Sequence, residues 1–250
     1  MPPLKLLLVR HGQSVGNAEG RMEGVSSTGL TPKGMEQSLR LGRHLATRGW
    51  HPTHIYCSPL ERATDTLIAL VQGFTASSAP EGELLPNILR FNSGERISDQ
   101  ITLAPDQPVT VELRPELMEY NSGVFTGLTW AEACDRYPEL CQQLVTSLDW
   151  QPIPQAETLE QGRARAQQFL DHLLSRHGNG DRVLVISHHW ILQQIMARLL
   201  GCDRTWGMPM DNTARFEFWL DRDRWDQPGL NRLNTELWQI KHFNDCTHCL

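Results

Sequence analysis

Two stretches of the chain are apolar without alternation, Leu6-Leu7-Leu8-Val9 and Val183-Leu184-Val185-Ile186. Continuous runs of this kind mark strands buried on both faces, as in a parallel sheet, and not strands with one wet face. A shorter run, Ile55-Tyr56-Cys57, predicts a third strand, and Val109 to Leu113 a fourth. Ala214–Leu220 and Thr235–Phe243 alternate apolar and polar residues around a polar loop, which predicts edge strands or an antiparallel addition.

Between these strands the period changes to that of helices. Thr31 is a candidate N-cap with Pro32 in the first turn; Met35, Leu39, Gly42 and Leu45 follow at helical spacing, and Gly49 lies past the end. Ser58-Pro59-Leu60-Glu61 and Thr129-Trp130-Ala131-Glu132 both read as capping boxes. A long helix is expected over Thr158–His177, stopped by Gly178, and another over Trp190–Leu200.

The segment 72–108 holds Pro, Gly, Ser and Asn with no sustained period, and is expected to be an inserted lid or subdomain. Residues 221–250 are expected to form a carboxyl-terminal extension of one domain covering 1–250. The 250 residues, 40% hydrophobic, are enough to bury a large core. A formal charge of −6 without basic runs argues against nucleic acid or an anionic membrane as partner. Six scattered cysteines and an amino terminus without leader pattern lead to the expectation of a reduced, cytoplasmic protein.

The strand ends carry the chemistry. The first run delivers Arg10-His11-Gly12, and the run beginning at Val183 delivers Ser187-His188-His189. Arg62 falls just beyond the Ile55–Cys57 strand, at a helix start. Open α/β sheets bind ligands beyond the carboxyl ends of their strands, so arginines there read as anion holders and histidines as nucleophiles or acid–base groups.

The segment Leu8-Val9-Arg10-His11-Gly12-Gln13-Ser14-Val15-Gly16-Asn17 resembles the opening signature of the histidine phosphatase superfamily, the phosphoglycerate mutase-like enzymes. Further segments similar to that family are Leu30–Gln37, Ser58-Pro59-Leu60-Glu61-Arg62-Ala63, Leu117–Gly127, Glu157-Thr158 and Ser187-His188. The resemblance implies a three-layer α/β/α sandwich with a mostly parallel sheet. It also implies that His11 becomes phosphohistidine, that Arg10, Arg62 and His188 hold phosphoryl oxygens, and that Glu119 is the acid and base. Asn17, Gly24 and His189 fall at substrate-binding positions, His189 mainly through its backbone N–H.

Two arginines and an imidazolium facing a phosphate dianion need no divalent ion to balance charge, so catalysis without metal or other cofactor is expected. Segment Trp130–Glu139 resembles the phosphatase branch more than the mutases. The expected activity is hydrolysis of a small phosphorylated metabolite, phosphoserine being one candidate. A phosphoglycerate mutase and a non-enzymatic phosphate-ligand binding protein are the alternatives, and a homodimer is an open option. Gln155-Ala156-Glu157-Thr158 lacks a glycine often found there, leaving the role of Glu157 open. The tail, His242 to Cys249, is read either as half a zinc site or as a loosely ordered end.

Overall fold

The computed structural model describes residues 1–26, 28–75, 98–104, 107–202, 208–225, 227 and 237–250. In chain order the elements are β1 (Leu4–Arg10), α1 (Val15–Ala18), α2 (Pro32–Thr47), β2 (His54–Cys57), α3 (Glu61–Thr75), β3 (Ser98–Ala104) and β4 (Gln107–Leu113). They continue with α4 (Trp130–Arg136), α5 (Pro138–Thr146), α6 (Leu159–Arg176), β5 (Arg182–Ser187), α7 (His189–Leu200), β6 (Arg215–Leu220), α8 (Arg222–Trp225) and β7 (Trp238–Asp245).

The strands form one sheet in the order β3-β4-β2-β5-β1-β6-β7. Its middle, β4-β2-β5-β1, is parallel, while β3 and β6 run the other way and make the sheet mixed at both margins. Alternate residues of β1 go to opposite layers. Leu4, Leu6 and Leu8 pack with Phe169 and Leu173 of α6 and Ile191 and Ile195 of α7. Leu7 and Val9 pack with Leu41 and Leu45 of α2 and Leu67 and Leu70 of α3. Helices on both faces explain why β1 and β5 are apolar throughout, and they make the expected three-layer α/β/α arrangement.

Local signals work as expected at most helix starts. Thr31 caps α2 through a bond from the Gly34 amide, and full capping boxes join Thr129 with Glu132 and Thr158 with Gln161. At α3 the Ser58 hydroxyl accepts from Leu60 N at 3.3 Å, and it also meets His188.

The expectation of a lid over 72–108 needs correction at both ends. Residues 72–75 are the last turn of α3, and 98–108 hold β3 and the start of β4, so both ends belong to the main fold. Residues 76–97 lie outside the described part. The tail is also more firmly placed than a loose end. β7 pairs with β6, His248 is buried, and its Nε2 bonds the Thr213 hydroxyl at 2.9 Å. Among the described residues the tail belongs to no group of three metal-ligating side chains. No described helix is long and apolar enough to cross a membrane.

Candidate active site

The four parallel strands all end on one side, and each hands a polar group to the same place. β1 is followed by His11, β5 by His188, β2 by Arg62 at the start of α3, and β4 by the loop carrying Glu119. The His11 amide donates to the carbonyl of Ser187 at 2.9 Å, which continues the β1–β5 ladder by one step. That brings the rings of His11 and His188 to 5.0 Å. Gly12 then lets β1 leave the sheet beside α2, since a Cβ there would lie 2.6 Å from the Gly34 carbonyl oxygen.

His11 is 2% exposed, and its Nδ1 lies 2.7 Å from the carbonyl oxygen of Gly12. A carbonyl only accepts, so Nδ1 carries the proton and Nε2 keeps its lone pair. Burial, followed by the charges of Arg10 and Arg62, holds the imidazole well below the ordinary histidine pKa. The result is a neutral ring of fixed tautomer among cations.

Arg62 is almost fully buried and its guanidinium is aimed by three bonds: Nη1 to Ser26 O at 2.7 Å, Nη2 to Gly24 O at 2.8 Å and Nε to His188 Nδ1 at 3.2 Å. Its backbone is tied back too, because Thr66 Oγ1 donates to Arg62 O and accepts from Gly12 N. Arg10 donates to Met210 O at 2.6 Å and to Asn17 Oδ1 at 3.2 Å. Opposite them lies the buried carboxylate of Glu23, which accepts from Ser14, Thr28 and Asn17 and lies 3.9 Å from Arg62.

Glu119 is held from another direction. The N-cap residue of α7, His188, makes no side-chain cap bond, and the Glu119 carboxylate takes that place by accepting from Trp190 N and Ile191 N. A carboxylate is well matched to the unpaired amides and dipole of a helix start. His11, Arg10, Arg62, Asn17, Gly24, Glu119 and His189 line one cavity of about 320 Å³. Trp190, Tyr120 and Met22 add apolar wall. The arrangement can neutralise a dianion against two guanidiniums while presenting an unprotonated nitrogen to it.

A family model, the histidine phosphatase superfamily (branch 1), matches residues 6–83 and 97–232. The chain belongs to that superfamily. It is 26% identical over 196 residues to a metal-independent phosphoserine phosphatase of Arabidopsis thaliana, covering 78% of this chain and 68% of that one. It is also 26% identical over 210 residues to a 2,3-bisphosphoglycerate-dependent phosphoglycerate mutase of Nitrosomonas europaea, covering 80% and 83%. Among solved structures, a putative alpha-ribazole-5'-P phosphatase of Escherichia coli superposes with a TM-score of 0.69 at 23% identity, over 97% of this chain and 98% of that one.

Within this histidine phosphatase, two expected residues sit differently from the sequence reading. His188 does not line the cavity: it is fully buried, with Nδ1 taken by Arg62 and Nε2 by Ser58 Oγ at 2.7 Å. At the α7 N-cap its ring stands next to His11 and helps to aim the Arg62 guanidinium. His189 offers more than its backbone N–H, because its imidazole lines the cavity and bonds Gln193 at 2.9 Å. Glu157 acquires a role as well. It pairs with Arg165, which also donates to Glu116 O and Met118 O and so anchors the strand-to-Glu119 loop. Glu23, Trp190 and Gln193 were missed. Trp190 and Gln193 lie three apart on the helix after His188, a spacing that could have flagged them, whereas nothing local marks Glu23.

Proposed function

We propose that the protein is a metal-independent phosphomonoesterase acting on a small phosphorylated metabolite through phosphohistidine at His11. The observation carrying this reading is the neutral His11 ring, its Nδ1 proton held by Gly12 O, between Arg10 and Arg62. Nε2 attacks phosphorus, the P–N bond forms as the P–O bond breaks, and Glu119 gives a proton to the departing alkoxide. Water then attacks phosphohistidine, losing its proton to Glu119 as the P–N bond breaks. The guanidiniums balance charge on the equatorial oxygens.

Phosphoserine is one candidate substrate, supported by the name of the Arabidopsis relative. A panel of phosphomonoesters scored by both free phosphate and isomerised product tests the reading. Phosphate release with acid-labile, base-stable label on the protein, both lost in His11→Ala, is expected, and EDTA should leave release unchanged. Isomerised product without phosphate would make the protein a mutase. Neither product nor label across the panel would leave a binding protein.

A further inference from the structure

The opposite end of the sheet carries a second cluster of chemistry-bearing side chains. His54 opens β2, Asp181 immediately precedes β5, and His177 follows α6. Since β2 and β5 are parallel, these residues lie at the strands' amino-terminal ends, away from the cavity at their carboxyl ends. One donor atom from each of the three lies within 4.8 Å of the other two.

We propose that His54, His177 and Asp181 bind one divalent transition-metal cation of the zinc class, clipping β2 to the α6–β5 connection. Two imidazoles and one carboxylate form a donor set suited to zinc, cobalt or nickel, and a poor one for magnesium or calcium, which take oxygen. Nδ1 of His177 and Oδ2 of Asp181 are 3.3 Å apart. Two ligands of a tetrahedral ion with bonds of about 2.0–2.1 Å would be separated by about the same distance. The remaining position would hold water.

Each ligand is oriented by a second contact, as metal ligands commonly are. The Tyr56 hydroxyl meets Nε2 of His177 at 2.8 Å, the Gly178 amide donates to Asp181 Oδ2 at 3.0 Å, and Thr53 Oγ1 lies 3.1 Å from Nδ1 of His54. Thr53 is itself tied to Arg182, the first residue of β5, so the two strands hold the His54 side in place. On binding, the His177 proton shifts from Nδ1 to Nε2 and is donated to Tyr56 Oη, while the cation sheds water. Arg176, the neighbouring cation, is paired with Glu112 at 3.3 Å.

The site stands apart from the phosphatase reading, and its test does not use turnover. Metal-free full-length protein is titrated with zinc and with cobalt, followed by calorimetry and by visible absorption of bound cobalt. One equivalent should bind at micromolar or tighter affinity, and zinc at a hundredfold excess over Kd should raise Tm by about 5 °C. Asp181→Asn and His54→Gln should each weaken binding by about tenfold or more. The Cys246→Ser/Cys249→Ser protein, altered in the tail, should bind as the parent does. Absence of saturable binding, or binding unchanged in both Asp181→Asn and His54→Gln, overturns the proposal. So does loss of the equivalent in the tail variant.

Discussion

Arg62 donates through Nε to Nδ1 of His188 at 3.2 Å, so the ring at the end of β5 serves as an acceptor. An acceptor nitrogen cannot carry a proton, and burial together with the Arg62 charge holds His188 well below the ordinary histidine pKa. The pair therefore presents one charge, on the guanidinium, and the histidine helps to set its direction.

Lysine at position 62 keeps the charge and loses the direction. An ammonium cannot satisfy Gly24 O, Ser26 O and His188 together from one compact group. Arg62→Lys should lower kcat/KM for phosphate release by about 10²–10³ and stability by about 2 kcal/mol. Steady-state kinetics and urea melts check both. A variant within threefold of the parent in kcat/KM would remove Arg62 from the clamp.

Glu119→Gln keeps an oxygen for the Trp190 and Ile191 amides and removes the carboxyl to which we assign the proton transfer. The loss of rate should be about 10²–10⁴ on an alkyl phosphate and much smaller on an aryl phosphate, whose leaving oxygen needs little help. Phosphate release from a matched pair of esters reads this out. Equal losses on the two would assign the proton to another group.

Histidines kept neutral by the fold set the response to acid. His177 and His248 are pushed down to about 4 mainly by burial, and His11 and His188 also lie well below the usual value. Unfolded, each would protonate near 6.5, so below that pH the unfolded chain binds more protons than the native one. Stability should thus fall as pH drops from about 6.5 towards 4, with a slope of roughly 1.4 kcal/mol per pH unit for each such histidine. Melts at successive pH values measure the slope, and a flat profile across that window would contradict the neutral assignments.

Helix propensity and packing make opposite predictions at Gly42. In an exposed helix, alanine would gain about 1 kcal/mol over glycine. In α2, however, an added Cβ would lie 2.0 Å from the backbone oxygen of Leu70 in α3, and at Gly73 in α3 it would lie 2.2 Å from Leu39 O. Gly42→Ala should destabilise by about 2 kcal/mol or more, because backbone has to move to admit it. Thermal or urea melts decide the sign.

What could be read from the sequence follows from how each element is buried. β1 and β5 are covered on both faces, so their composition is unmistakable, and the catalytic candidates could be placed because they follow such strands directly. β3 was illegible: as the outermost strand it begins Ser98-Asp99-Gln100 and looks like loop. Glu23 acquires meaning only from the fold, which sets it opposite Arg62. The orientation of His188 depended on whether its nitrogens would find the cavity or Ser58 and Arg62, a choice between neighbours far apart in sequence. The His54–His177–Asp181 group likewise joins β2 to the α6–β5 connection, two segments far apart in sequence with no common motif.

The strand that ends at Arg10 and leads into His11 is the first of the described strands in chain order, yet its neighbours are β5 and β6, which begin at Arg182 and Arg215. During translation it has neither hydrogen-bonding partner until most of the chain has left the ribosome. Its apolar run must be kept from other nascent chains for that time, a burden typical of sheets closed by distant pairings. A product ended before Arg182 would therefore carry Arg10 and His11 without β5 or His188 beside them.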